Sequence, residues 1–375
     1  MSVIPPLGTI SFARGVPPPD VFPVGELAEC ARAVLEREGE TVLNYGGPAG
    51  YEPLRAWIAV RHGVPPGRVL VTPGSLVGLN LLARAVVGRG ASAVVEAPTY
   101  DRMLRILGAL GADVRSVPRR EDGLDLDALR ALLDKGPRPS LLYAMPTFHN
   151  PTGRTLSVAQ RRELVEIAGD NGVLVFEDDP YGLVRFEGVA PPSLLELART
   201  SGRDDWVVFS SSFSKTVAPG LRVGYLIVPE RLVPVLERLA LDLYVSPPIV
   251  PQAQLFEFLR RGLFEPNLER VRACLRARHD AMLEALAAEV APGAAWSRPG
   301  GGYFLWLELS GDLDAGALLA RARERGVSFV PGCDFFPNGG GESAARLAFS
   351  FPSPDEIREG IRRLGALVRD ALSAA

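Results

Sequence analysis

Of the 41 basic residues in this 375-residue chain, only Lys135 and Lys215 are lysines; the other 39 are arginines. Arginine stays protonated and cannot become a nucleophile, whereas lysine can lose its proton and react as an amine. A chain that uses arginine wherever a plain positive charge suffices keeps lysine where an amine is needed. Lys135 lies in Leu133-Asp134-Lys135-Gly136-Pro137, a helix end running into a turn, where a cation suits the helix dipole. Lys215 has different company. It stands in Ser211-Ser212-Phe213-Ser214-Lys215-Thr216-Val217-Ala218-Pro219-Gly220-Leu221-Arg222-Val223-Gly224-Tyr225, which puts hydroxyls, an amine and an arginine on one loop after an apolar run. Hydroxyls beside an arginine suit a phosphate, which favours charge-assisted donors. An amine beside a phosphate suits an aldehyde cofactor held as a Schiff base, which is the chemistry of pyridoxal 5'-phosphate.

Four other segments supply what that cofactor would need. Pro73-Gly74-Ser75-Leu76 opens a helix and offers backbone N–H groups and the Ser75 hydroxyl to a phosphate. Asp178, in Glu177-Asp178-Asp179-Pro180-Tyr181, could pair with a protonated pyridine nitrogen. His149-Asn150-Pro151-Thr152-Gly153 places an amide side chain in a tight turn, and Pro98-Thr99-Tyr100 offers an aromatic ring to stack on a planar one. His149 itself reads as a packing or hydrogen-bonding residue.

The elements that must position these groups follow from apolar periodicity. Short apolar runs at 69–72, 93–97, 113–117, 141–144, 173–177, 206–210 and 223–228 predict seven strands. Amphipathic stretches at 76–87, 124–133 and 158–168 predict helices between them. Alternation of this kind implies an α/β fold with a mostly parallel seven-stranded sheet sandwiched by helices, whose ligands gather beyond the carboxyl ends of the strands. From about residue 264 the pattern becomes long helix, hairpin-like strands at 303–309 and 344–350, and a closing helix at 354–372, a smaller α+β unit. The Gly339-Gly340-Gly341 run reads as a turn, since no nucleotide-loop spacing surrounds it. The expected division is a large cofactor-binding domain at 45–260 and a small domain built from 1–44 and 261–375.

A formal charge of −3 disfavours a nucleic-acid surface. No apolar stretch is long enough to span a bilayer, and residues 1–24 lack the charged and apolar regions of a leader, which predicts a cytoplasmic protein without membrane contact. Cys30, Cys274 and Cys333 are odd in number and far apart, so neither a disulfide framework nor a metal clip is expected.

Taken together, Ser11-Phe12-Ala13-Arg14-Gly15, Tyr45-Gly46-Gly47-Pro48-Ala49-Gly50-Tyr51, the His149–Gly153 turn, the Glu177–Tyr181 segment, Ser212–Tyr225, Gly301-Gly302-Tyr303-Phe304-Leu305-Trp306 and Arg346-Leu347-Ala348-Phe349-Ser350 resemble the class I/II aminotransferases of pyridoxal-phosphate fold type I over essentially the whole length. Within that group they are most similar to the 2-aminoadipate aminotransferases and their MocR-type regulator relatives. The resemblance implies that Lys215 binds the cofactor covalently and moves the substrate's α proton. It implies that Asp178 keeps the pyridine nitrogen protonated, that Asn150 and Tyr181 bond the ring's 3' oxygen, and that Tyr100 stacks on the ring. Ser75, Leu76 through its backbone, Ser212 and Arg222 would hold the phosphate, and Tyr45 would reach the phosphate of a neighbouring subunit, implying a homodimer. Arg346 would grip the substrate α-carboxylate, with Gly15 and Asn150 on the substrate side.

Two departures stand out. Leu76 replaces the glutamine that usually follows the phosphate-loop serine, and Arg14 stands where relatives usually carry glycine. The close relatives also begin with a helix that helps choose the side chain, for which the ten or so residues before Ser11 leave no room. A guanidinium at Arg14 could then accept a distal carboxylate. The leading expectation is an aminotransferase acting on an α-amino acid and a 2-oxo acid by a ping-pong mechanism. The alternatives are another pyridoxal-phosphate reaction (decarboxylation, C–S lysis or cyclisation) and a non-catalytic MocR-type effector domain.

Overall fold

A computed structural model describes residues 8–120 and 123–374; residues 1–7, the start of the segment read for a leader, lie outside the described residues. Fourteen strands form three sheets among the described residues. β1 (Ile10–Ser11) pairs in parallel with β12 (Val327–Ser328). The large sheet contains β2 (Val69–Thr72), β3 (Ser92–Ala97), β4 (Asp113–Arg120), β5 (Gly123–Leu124), β6 (Leu141–Ala144), β7 (Leu174–Asp178), β8 (Val207–Ser212) and β9 (Gly224–Ile227). Their spatial order is β2-β9-β8-β7-β6-β3-β4-β5. The smaller sheet runs β10 (Ala294–Trp296), β11 (Phe304–Leu309), β14 (Ala344–Ala348), β13 (Val330–Pro331), antiparallel throughout.

The large sheet has eight strands where seven were expected. The extra one, β5, is two residues long and pairs antiparallel with the end of β4, its Gly123 taking φ 135°. Two residues are too few to leave a periodic signal. β9 is antiparallel to both β2 and β8, while the pairs β4-β3, β3-β6, β6-β7 and β7-β8 are parallel. Every residue of β2, β6, β7, β8 and β9 is buried, as expected for strands covered on both faces, whose apolar runs are continuous rather than alternating.

Local chemistry sets the helices between the strands. Ser157 caps the helix Val158–Asn171 by accepting from Gln160 N–H, and Gly172 ends it in the left-handed conformation at φ 62°. Asp125 caps Leu126–Asp134 in the same way, and Lys135 follows as its C-cap. In the second half the long helix Phe264–Glu289 packs along Pro354–Ala374, and Val24–Val42 packs along Ile249–Arg260. No described helix is long and apolar enough to cross a membrane.

The strand directions explain how residues distant in sequence meet. β2, β3, β6, β7 and β8 point the same way, so Ser75, Tyr100, Asn150, Tyr181 and Lys215, each just beyond a strand's end, share one edge of the sheet. Asp178 is the last residue of β7, because the β7-β8 ladder continues through the Asp178↔Ser210 pair.

Candidate active site

Lys215 sits on the loop between β8 and β9, with its Nζ donating to the Gly15 carbonyl at 2.9 Å. The rings of Tyr303 and Tyr181 flank the amine at 5.2 and 5.8 Å. Burial, followed by the guanidinium groups of Arg346 and Arg222, pushes the Lys215 ammonium down to about 8 from its ordinary 10.5. A lysine in this setting surrenders its proton more readily than a solvated one, as an amine nucleophile and proton carrier requires.

Asp178 is buried at the carboxyl end of β7. Its Oδ2 accepts from the Tyr143 hydroxyl at 2.7 Å, and its Oδ1 has no hydrogen-bond partner among the described residues. Burial drives this carboxyl up to about 7, with the Tyr143 hydrogen bond and Lys215 acting downward and Asp179 acting upward. Asp179 is committed elsewhere: its Oδ1 accepts from Gly182 N–H at 2.7 Å and holds the turn that carries Tyr181. Tyr100 stands at the start of the helix Asp101–Ala109, and burial, with Asp178 next, raises its hydroxyl to about 12.

A cradle lies at the start of the helix Ser75–Val86. Gly74 takes φ 88° there, and a side chain on it would run into the Arg222 guanidinium. Gly224, opposite Thr72 in the β2-β9 ladder, leaves no room for a Cβ against Ser75 N and Gly74. Arg222 Nη2 donates to Pro73 O at 3.2 Å, and Ser212 Oγ lies 2.9 Å from Ser214 Oγ and 3.1 Å from Ser214 N. Backbone N–H groups of a helix start, the Ser212 hydroxyl and a guanidinium thus lie around two glycines that admit a close approach, a setting suited to a phosphate. The Leu76 side chain is 40% exposed, so this position offers only its backbone.

Arg346 reaches the same site from β14. Nη1 donates to Asn150 Oδ1 and Nη2 to Ala13 O, both at 2.9 Å, while Nε is buried without a partner among the described residues. The guanidinium lies between the rings of Phe304, at 4.2 Å, and Phe335, at 5.0 Å. Gly15 abuts the Phe304 ring so closely that a side chain would overlap it. Arg14 is exposed, rests on the Phe351 ring at 4.8 Å and has no ion pair among the described residues. Tyr45 is 80% exposed within one chain.

Sequence reasoning missed two residues. Tyr143 was legible only as a strand residue, and Tyr303, whose hydroxyl donates to the Lys215 carbonyl at 3.1 Å, only as part of an aromatic strand. His149 lies behind the site, 2.9 Å from Thr152 Oγ1 and 3.3 Å from Glu96 Oε2, in the hydrogen-bonding role expected of it.

The buried, unpartnered Asp178 Oδ1, the glycine-lined cradle and the low-pKa amine fit pyridoxal phosphate as a group. The comparisons with known proteins agree. The aminotransferase class I and II family model matches residues 10–364. The chain is 40% identical to a 2-aminoadipate transaminase of Thermus thermophilus, covering 98% of this chain and 91% of that protein. It is 31% identical to an aromatic-amino-acid aminotransferase of Thermococcus litoralis, covering 97% and 88%. Among solved structures, the α-aminoadipate aminotransferase of Thermus thermophilus complexed with N-(5'-phosphopyridoxyl)-L-leucine superposes with a TM-score of 0.94 at 39% identity, covering 98% of this chain and 94% of that one. With an amine, a buried carboxylate and a glycine-lined cradle at one sheet edge, and with this likeness along nearly its whole length, the chain belongs to the class I and II aminotransferases, pyridoxal-phosphate-dependent enzymes of fold type I.

Proposed function

We propose that the two half-reactions of this aminotransferase share the single site at the sheet edge, in ping-pong order, with the following division of labour. Pyridoxal phosphate, when bound, supplies an electron sink for the pair left on the substrate's α-carbon. Lys215 carries the cofactor's aldehyde and moves the α proton, because its Nζ is the one amine in the site and is held there by Gly15 O. Asp178 Oδ1 would pair with the proton on the ring nitrogen. Asn150 and Tyr181 would bond the ring's 3' oxygen, and Tyr100 would stack on the ring. Ser75, the Leu76 backbone, Ser212 and Arg222 take the phosphate. Arg346, already anchored by Asn150 and Ala13, offers its remaining donors to the α-carboxylate, and Gly15 keeps that side open. The single observation that carries this reading is the buried Asp178 oxygen without a partner among the described residues, since a carboxylate out of water is retained only where something pairs with it.

In this reading residues 45–260 provide most cofactor contacts, while 1–44 and 261–375 bring Gly15, Arg14 and Arg346. The second subunit of a homodimer receives Tyr45. Supporting the latter, Gly46 N–H donates to Ser246 Oγ at 3.3 Å, and Leu43, Tyr45, Leu243 and Val245, close in sequence to the two ends of that bond, expose large apolar side chains of the kind that subunit contacts cover. Three free cysteines suit a reducing, cytoplasmic compartment. For the substrate, a relative named for 2-aminoadipate and the exposed Arg14 guanidinium, without an ion pair among the described residues, favour an amino acid with a second carboxylate.

The test is spectroscopic. Purified holoenzyme mixed with single amino acids should convert the cofactor to its amine form and release the matching 2-oxo acid, and a 2-oxo acid should reverse the change. Borohydride reduction should label the Lys215 peptide. Release of carbon dioxide or a thiol in place of the oxo acid, or label on Lys135, would refute the assignment.

A further inference from the structure

Tyr143 is fully buried in the middle of β6, in a site described so far by its strand ends. In the β6-β7 ladder it stands opposite Phe176. Side chains alternate along a strand, so Phe176 and Asp178 face the same way and Asp178 is the diagonal neighbour of Tyr143. The Tyr143 hydroxyl spans that diagonal and donates to Asp178 Oδ2 at 2.7 Å, the one side-chain hydrogen bond Asp178 makes among the described residues. The ring is braced edge-on by Phe176, with centroids 5.9 Å apart.

We propose that Tyr143 is a positioning residue for cofactor binding: its hydroxyl holds Asp178 Oδ2 so that Oδ1 alone is presented to the ring nitrogen, and it favours the ionised form of the buried carboxylate. This rests on the assignment of Asp178 to the ring nitrogen. A carboxylate with no donor could rotate either oxygen inward and, lacking water, would take up a proton and lose its attraction for a pyridinium. The other charged or titratable groups facing Asp178 are Tyr100 beyond β3, Tyr181 and Asp179 beyond β7, and Lys215 from the β8-β9 loop. None of them bonds its side chain. Neighbouring Glu177 is turned away, with its two oxygens accepting from Leu194 and Leu195 N–H at 2.9 and 3.0 Å. Lys215 is common to all four proteins, and the Asp178→Asn background isolates the part of the effect that passes through Asp178.

The experiment uses apoenzyme stripped of cofactor and titrated with pyridoxal phosphate at about pH 6 and about pH 9, for wild type, Tyr143→Phe, Asp178→Asn and the double variant. Without its donor Asp178 holds a proton to higher pH, so Tyr143→Phe should bind about tenfold more weakly than wild type near pH 6 and less than about threefold more weakly near pH 9. In the Asp178→Asn background the same change should add nothing. A loss equal at both pH values, no loss, or a full loss in the Asp178→Asn background overturns the positioning role. Wild-type affinity in Asp178→Asn alone instead overturns the assignment of Asp178 and the inference with it. Phenylalanine keeps the ring against Phe176, and the melting temperature of the apoprotein checks that packing is intact.

Discussion

A protonated lysine in this site is held at a cost that the apoprotein should reveal. Lys215→Met replaces the amine with an unbranched apolar chain of similar length that can fill the same channel. The ammonium falls from 10.5 to about 8 in the folded protein, chiefly by burial. At about 1.36 kcal/mol per tenfold change in proton affinity, this makes the charged lysine unfavourable by on the order of 3 kcal/mol. Losing the 2.9 Å bond to Gly15 O returns about 1 kcal/mol. The net gain of roughly 2 kcal/mol should raise the melting temperature of the apoprotein by about 3 °C, taking about 2.1 cal/mol/K of unfolding entropy per residue. The pH dependence carries the diagnosis. Between about 8 and 10.5 the unfolded chain keeps the proton on Lys215 while the folded chain has released it, so wild-type stability rises with pH through that window. The advantage of Lys215→Met is therefore full below pH 8 and gone above 10.5. Thermal or urea denaturation of the two apoproteins across that range measures it. A variant less stable than wild type at neutral pH, or a gain that does not change with pH, would refute the reading of Lys215 as an amine held at low proton affinity.

Arg346→Lys removes the planar fork: a single ammonium cannot replace the bonds to Asn150 Oδ1 and Ala13 O and still meet a carboxylate. KM for amino acid and for 2-oxo acid should rise together by about 30-fold or more, with kcat less affected, at about 1.5–3 kcal/mol for each lost bond to a charged group; an effect on one substrate alone would contradict a role at the shared α-carboxylate. Arg14→Gln should lower kcat/KM for glutamate or 2-aminoadipate by about tenfold, and leave a neutral amino acid of similar size unchanged, at about 1.4 kcal/mol per factor of ten. Equal losses would assign Arg14 to packing on Phe351. Tyr45→Phe should weaken cofactor retention in a dimer seen by analytical ultracentrifugation, and a fully active monomer would exclude the crossing role.

The chemical identity of the site was legible in the chain. The rarity of lysine singled out Lys215, and local segments placed Ser75, Tyr100, Asn150, Asp178, Tyr181 and Arg222 at strand ends, because strands and the turns after them are short-range objects whose composition reports their function. The sheet's α/β character followed from the same periodicity, except for β5, too short to leave a pattern. Other features depend on which strands become neighbours. Tyr143 donates to Asp178 across 35 residues because β6 lies beside β7, and Tyr303 donates to the Lys215 carbonyl across 88 because β11 faces the β8-β9 loop. Arg346 is wedged between Phe304 and Phe335, and Arg14 is laid on Phe351, through contacts that no local pattern encodes. Local sequence sets which donors, acceptors and charges are available. Only the packed structure decides which of them are desolvated against each other, and desolvation is what brings Lys215 down to about 8 and leaves one oxygen of Asp178 without a partner.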